Sequence, residues 1–278
     1  MKSALASALL LVPLAAGRAA ADEAPTAKGT FKSKTITMEV KSAVAFRGRS
    51  SFDKEDVLMV AVTNAGIKAD VLRAYYDRAR AIDKRVKDDE TGVVLFEFGK
   101  DGKYRGYSFY FASGNGCGYC GGGDVSTVKL ANGRLKGTLK DTGDDRSFDI
   151  VLDVPILPDD HGAPLPDGGG EPGKAYLAYH AALSNADPVA LKPVLSEDSL
   201  KVYARAEGKK DLAGYVRYLA KEHPTKAVKI TKGFAGADRA VLLVDGETTY
   251  AKVTGEAVLV KEKGTWRVDD ELMDVKLD

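Results

Sequence analysis

The chain has 278 residues, 44% apolar and 29% charged, the composition of a soluble globular protein long enough for two ordinary domains. Lys and Arg total 41 against 40 Asp and Glu, a net charge of +1, so no global field draws the chain to nucleic acid or an anionic membrane. Three histidines far apart leave little for metal or triad chemistry, and no Gly-rich phosphate loop, Gly-x-Ser-x-Gly elbow or His-Glu-x-x-His pattern occurs.

Residues 1–21 read as a secretory signal peptide. Met1-Lys2 is a short positive start, Ala4 to Ala16 is an apolar core, and Ala19-Ala20-Ala21 offers small residues before a cleavage point at Asp22. The apolar core is too short to span a bilayer and Arg18 ends it, so no integral membrane segment is expected after cleavage. The expected product is periplasmic or secreted, where two nearby cysteines tend to pair.

Residues 22–28 are expected as a loose lead-in, and 29–155 as a hairpin-rich β domain with one helix. Ile36, Met38 and Val40 alternate with Thr37 and Glu39, and Val57–Thr63 is a continuous apolar run suited to a buried strand. Residues 68–86 carry apolar side chains at helical steps: Val71, Leu72, Tyr75, Tyr76, Ala79 and Ile82. Strands return at 93–98, 104–111, 125–130, 134–140 and 148–154, with tight turns at 99–102, 131–133 and 141–145. Repeated hairpins around one helix predict an antiparallel sheet or partly closed barrel with a helix packed on it.

Cys117-Gly-Tyr-Cys120 lies in the densest glycine run of the chain. Three chemistries fit two cysteines at this spacing. Thiol–disulfide exchange wants the first cysteine at a helix N-terminus, and Gly121-Gly-Gly123 opposes a helix there. A zinc site would need a second ligand pair that the sequence lacks, while a soft copper site is conceivable. The favoured reading is structural, a small disulfide ring pinning a hairpin tip, with glycines supplying the unusual dihedrals.

Residues 156–173, with prolines at 158, 164, 166 and 172 and repeated glycines, read as a flexible linker. Asp159-Asp160-His161 within it is expected as a solvated stretch and not a metal cluster. From 174 the texture changes. A helix over 174–184 aligns Tyr176, Tyr179, His180 and Leu183. Asp187-Pro188 opens a short second helix ending near Leu195, and Asp211 begins a third that Pro224 stops. Strands are expected at 227–234, 240–244, 248–253, 257–261 and 265–268, with turns at Gly246 and Gly264. The prediction is an α+β fold class for the whole chain, the second half having three helices against one face of a curved antiparallel sheet.

This order of elements, closing in Ala257-Val-Leu-Val-Lys-Glu-Lys-Gly-Thr-Trp-Arg-Val-Asp-Asp270, resembles the nuclear transport factor 2-like, or SnoaL-like, superfamily over about residues 173–275. The resemblance implies a cone-shaped α+β domain, in a superfamily that includes isomerases, dehydratases and cyclases beside non-catalytic binding domains. Its enzymes place Asp and His, or Tyr and Asp, inside the cone, whereas the strands of residues 227–268 contain no histidine. Tyr179, His180 and Trp266 are the candidate ligand contacts, no catalytic or metal-binding residue is assigned, and no cofactor is expected. The leading expectation is a non-enzymatic binding protein of the bacterial envelope whose partner is a small apolar ligand or another envelope protein. The competing ones are an isomerase or hydro-lyase in the cone, and thiol–disulfide exchange at Cys117–Cys120. A carboxylate with a His or Tyr in bonding reach inside the cone would favour catalysis.

Overall fold

The computed structural model describes residues 26–276, apart from 51, 54, 68, 89–91, 112–115 and 121–125. Residues 1–21, expected as a signal peptide, and the glycines at 121–123 lie outside the described residues. The fold is α+β, with helices set against three five-stranded antiparallel sheets among the described residues.

The first sheet runs β2 (Thr37–Val40), β1 (Thr26–Ser33), β10 (Arg146–Pro155), β9 (Arg134–Thr142) and β8 (Lys129–Ala131). The second is a meander of β3 (Ser42–Arg49), β4 (Asp56–Thr63), β5 (Gly92–Phe98), β6 (Tyr104–Phe111) and β7 (Gly116–Cys120). The two sheets pack face to face, in place of the single sheet or barrel expected. Phe31, Phe148 and Ile150 of the first meet Val60, Phe96 and Tyr107 of the second. Phe96 meets Phe148 edge-on at 5.2 Å, and Phe31 tilts against Phe109 at 5.1 Å between ring centroids. Each such fully buried ring contributes roughly 1.5–3 kcal/mol over an exposed one.

The outer face of the second sheet is covered too. Helices α1 (Ala69–Arg73) and α2 (Arg78–Asp88), with the turn between them, lie on it through Leu72, Tyr75 and Ile82, which meet Val44, Phe46 and Met59. Covering on both faces explains why β4 and β5 read as unbroken apolar runs rather than alternating ones. The single helix expected over 68–86 is therefore two. The break comes where Asp77 accepts the Arg80 amide through Oδ1 at 3.1 Å, an N-cap that starts α2 afresh.

The third sheet runs β11 (Ala163–Pro164), β12 (Ala227–Ala235), β13 (Arg239–Glu247), β14 (Lys252–Glu262) and β15 (Thr265–Val275). One face carries α3 (Gly170–Ser184), α4 (Pro188–Leu191), α5 (Glu197–Gly208) and α6 (Leu212–Glu222), packed on Leu242, Val244, Leu259 and Val268. The other face, through Val241, Val258 and Leu272, closes over α1 and α2. The chain is thus a stack: sheet, sheet, helical layer, sheet, helices.

Several expectations change. Residues 26–28 belong to β1 and not to a loose lead-in. Four helices cover the third sheet instead of three, because Ser196 caps α5 by accepting the Ser199 amide at 3.0 Å. Asp187 caps α4 as expected, accepting the Val189 and Ala190 amides at 2.9 and 3.0 Å. The five strands predicted after residue 226 are four long ones, the third and fourth predicted strands being joined in β14, and Gly246 is no turn. It sits inside β13, where a Cβ would meet Cβ of Pro224 at 2.5 Å. Residues 156–173 are ordered against the sheets. The Leu157 amide donates to Ala45 O at 2.7 Å, Leu165 to Gly233 O at 2.8 Å, and α3 begins at Gly170. Pro164 is accommodated on β11, an edge strand, where a missing N–H costs no ladder bond.

Cys117 and Cys120 are paired at disulfide distance, with Cα atoms 6.2 Å apart, but not on a surface tip. They lie on β7 opposite Phe109 and Tyr107, and Cys120 is buried in the aromatic core between the first two sheets. Cys117→Ser is expected to leave the fold intact. Opening so short a ring should cost less than the ~3 kcal/mol of a 15-residue loop. Global unfolding of the variant by circular dichroism would contradict this.

Candidate functional site

Polar chemistry gathers at two places, both created by β15. Strand β15 pairs with β14 through a bulge: Val258 faces Asp270 and Leu259 faces Val268, leaving Asp269 extra. An extra residue reverses the alternation beyond it. Asp270 and Leu272 consequently point to α1 and α2, while Glu271 points with Val268 to the overlying helices.

Under those helices Glu271 is the centre of a buried cluster. The Tyr176 hydroxyl of α3 donates to Oε1, and Nδ1 of His223, at the end of α6, makes ion-pair contact with Oε2 outside regular hydrogen-bond geometry. The Glu271 side chain is 2% exposed and that of His223 16%. The Tyr179 ring stacks on Tyr176 at 6.1 Å and meets His223 edge-on at 6.4 Å. His180 is half-buried next to them, its Nε2 without a hydrogen-bond partner among the described residues.

Burial, with the Glu271 charge next in weight, pushes the Tyr176 and Tyr179 hydroxyls well above the usual phenol range. Burial also pulls His180 down, against the weaker attraction of Glu271. For His223 burial is the largest single influence and acts downward, but the attraction of the adjoining carboxylate contributes to a net upward shift. The arrangement favours the charged form of one imidazole beside a carboxylate that a tyrosine fixes in place.

Sequence reasoning placed Tyr179 and His180 together on one helix face and missed Glu271 and His223 as partners. Trp266 lies apart from them, at the hairpin end of β15, half-buried against the same core with Lys261 Nζ 5.6 Å from its ring centroid.

The second place is the seam between the third sheet and the helical layer. Glu256 of β14 is 3% exposed and accepts the Tyr76 and Asp77 amides at 2.9 and 3.0 Å, holding the start of α2 from across the seam. Burial raises its carboxyl to about 7, against the lowering effect of those amides. Tyr75 donates to Asp270 at 2.8 Å, and Arg80 and Lys84 pair with Asp274 and Asp270. Arg78, buried, reaches Asp159 at 3.1 Å and Pro158 O at 2.8 Å.

Asp159-Asp160-His161 is accordingly tied to the seam, although Asp159 and Asp160 remain exposed as expected. His161 sits against Tyr76 and Phe234, 5.1 and 6.0 Å between centroids, and burial followed by the Arg78 charge lowers its pKa. Alongside opens a cleft of about 270 Å³, lined by Arg73, Ala74, Asp160, His161, Asp238 and Arg239 among others. Among the described residues no group of three or more His, Cys, Asp or Glu is placed to hold a metal, and no helix is long and apolar enough to cross a membrane.

No protein-family model matches the chain, and no curated protein matches its sequence.

Proposed function

We propose that the chain is an exported binding protein of the bacterial envelope that takes a small ligand at the seam cleft. Its second half is read as a nuclear transport factor 2-like domain whose cone is closed by its own side chains. The observation that carries this reading is a contrast in commitment. Both oxygens of Glu271 are occupied by Tyr176 and His223 inside a packed core, while an open cleft lies at the seam, among charged groups. Small-ligand sites favour such clefts between packed units. The disulfide, held against the aromatic core, supports a structural role for the cysteine pair and not redox exchange.

Native mass spectrometry of protein purified from its own host tests this reading. The expected result is a chain beginning at Asp22 that carries a small-molecule adduct released on denaturation. A chain retaining residues 1–21 removes export, and a bare polypeptide mass removes the ligand.

A second reading is favoured by the Glu271–His223 contact. A carboxylate that orients an imidazole leaves the far ring nitrogen to act as a general acid, or as a general base once it has released its proton, the arrangement a proton-transfer site needs. In that reading the cone is an isomerase or hydro-lyase with Tyr179 and His180 beside the substrate. Deuterium wash-in to a panel of enolisable ketones, abolished in His223→Gln, is its expected signature. Absence of wash-in in the wild-type protein sinks it.

A further inference from the structure

We infer that the seam cleft recognises a small zwitterion of the α-amino-acid type, its carboxylate held by Arg73 and Arg239 and its ammonium by Asp160 and Asp238. This rests on the cleft being the ligand site. Most of the seam charges are already committed. Arg78 is spent on Asp159 and Pro158 O, Glu256 on two backbone amides, Lys84 on Asp270 and Arg80 on Asp274. The four ionised groups lining the cleft are those left over. Arg73 has no ion pair, and the Asp238 carboxylate no hydrogen bond or ion pair, among the described residues. Arg239 reaches Asp269 only at 3.7 Å, and its buried Nη1 lacks a hydrogen-bond partner. Asp269 itself already accepts Ser196 Oγ at 2.7 Å. Asp160 spends Oδ1 on the Gly162 amide at 2.9 Å.

Two cations and two anions at one opening leave no net field to attract a simple anion or a simple cation. A ligand of one sign would satisfy half of the groups and face repulsion from the other half. A zwitterion pairs with both, and charge-assisted contacts of this kind are the strong ones. Size points the same way. A volume of about 270 Å³ is just under the roughly 300–1,000 Å³ of ordinary ligand pockets, so the guest is small. Ala74, Ala240 and Val241 supply a short apolar floor for a small aliphatic side chain. At Gly162 a Cβ would come within 2.2 Å of Ala235 O, so the wall there can only be bare backbone.

Calorimetric titration of the full chain with L-alanine and L-valine tests the proposal. Isovalerate and isobutylamine are the comparison probes, each keeping the aliphatic group and one charge of valine. The expected result is binding of at least one amino acid, with both single-charge probes weaker by tenfold or more. Arg73→Gln and Asp238→Asn should each weaken amino-acid binding by about tenfold. Both side chains are exposed, so melting temperatures should not move. Binding of neither amino acid, equal binding of the single-charge probes, or unchanged affinity in both variants overturns the proposal. If a non-zwitterionic adduct is retained from the host and lost in Arg73→Gln, the zwitterion fails while the cleft reading stands. If nothing is retained and no probe binds, both fall.

Discussion

Glu271→Ala is expected to be the most damaging single polar substitution in the C-terminal half. It would leave the buried Tyr176 hydroxyl without its acceptor and His223 without its counter-charge. Removing one partner of a buried pair typically costs about 3–5 kcal/mol, because the remaining group keeps its desolvation penalty. In a chain of this size that is a loss of roughly 10 °C in melting temperature, at about 2–4 °C per kcal/mol. Glu271→Gln, which still offers Tyr176 an acceptor, should lose distinctly less. Thermal denaturation followed by circular dichroism checks the pair. An alanine variant within about 1 kcal/mol of wild type would mean that the cluster contributes no more than a surface ion pair.

The second large effect is a pH dependence at the seam. Glu256 titrates near 4.5 when unfolded and about 7 when folded. A carboxyl raised on folding favours the native state when protonated. Its contribution is therefore fully present below about 4.5 and is lost as pH rises through about 7. A shift of this size corresponds to a few kcal/mol, on the order of 1.4 per unit. The Asp77 and Asp270 charges act in the same direction as burial, and the two amides oppose it. Glu256→Gln, which keeps a carbonyl for those amides, should flatten the curve and exceed wild-type stability above pH 7. His223, raised by its carboxylate, also loses stabilisation with rising pH, so the difference between wild type and variant is the quantity to read. Urea denaturation between pH 4.5 and 8 gives it. Parallel curves for the two proteins would refute the assignment.

The sequence disclosed what is local. Val57–Thr63 and Val93–Phe98 were readable as strands because cover on both faces leaves no polar alternation to confuse the pattern. Asp187-Pro188 was readable as a helix start because cap and first turn are adjacent in the chain. Helix α5 was not: its inward residues, Leu200 and Tyr203, are sparse among charged neighbours. Strand β7 was hidden by glycines that oppose any regular element by composition, and only the ladder with β6 makes it one. Glu271 was hidden for a different reason. Asp269-Asp270-Glu271 reads as one charge run, and only the bulge opposite Val258 and Leu259 sends its members to different faces. Three acids inside an apolar strand were the available signal. Their division between a seam and a core depends on pairing with a strand that no local rule specifies.

The helical layer of α1 and α2 has a consequence for how the chain comes to be folded. A nascent polypeptide emerges N-terminus first, at about 5–20 residues per second. The first two sheets can close on each other as soon as β10 is made. The layer lying on them still lacks its upper cover, since Val241, Val258 and Leu272 are made afterwards, and so are Glu256 and Asp270. For several seconds on that scale the growing protein carries a sticky, half-dressed flank that only its final strands can clothe. Such an intermediate is a natural client for a holding chaperone. It also makes the last strands of the chain, rather than the first domain to appear, the step that commits the molecule to its finished form.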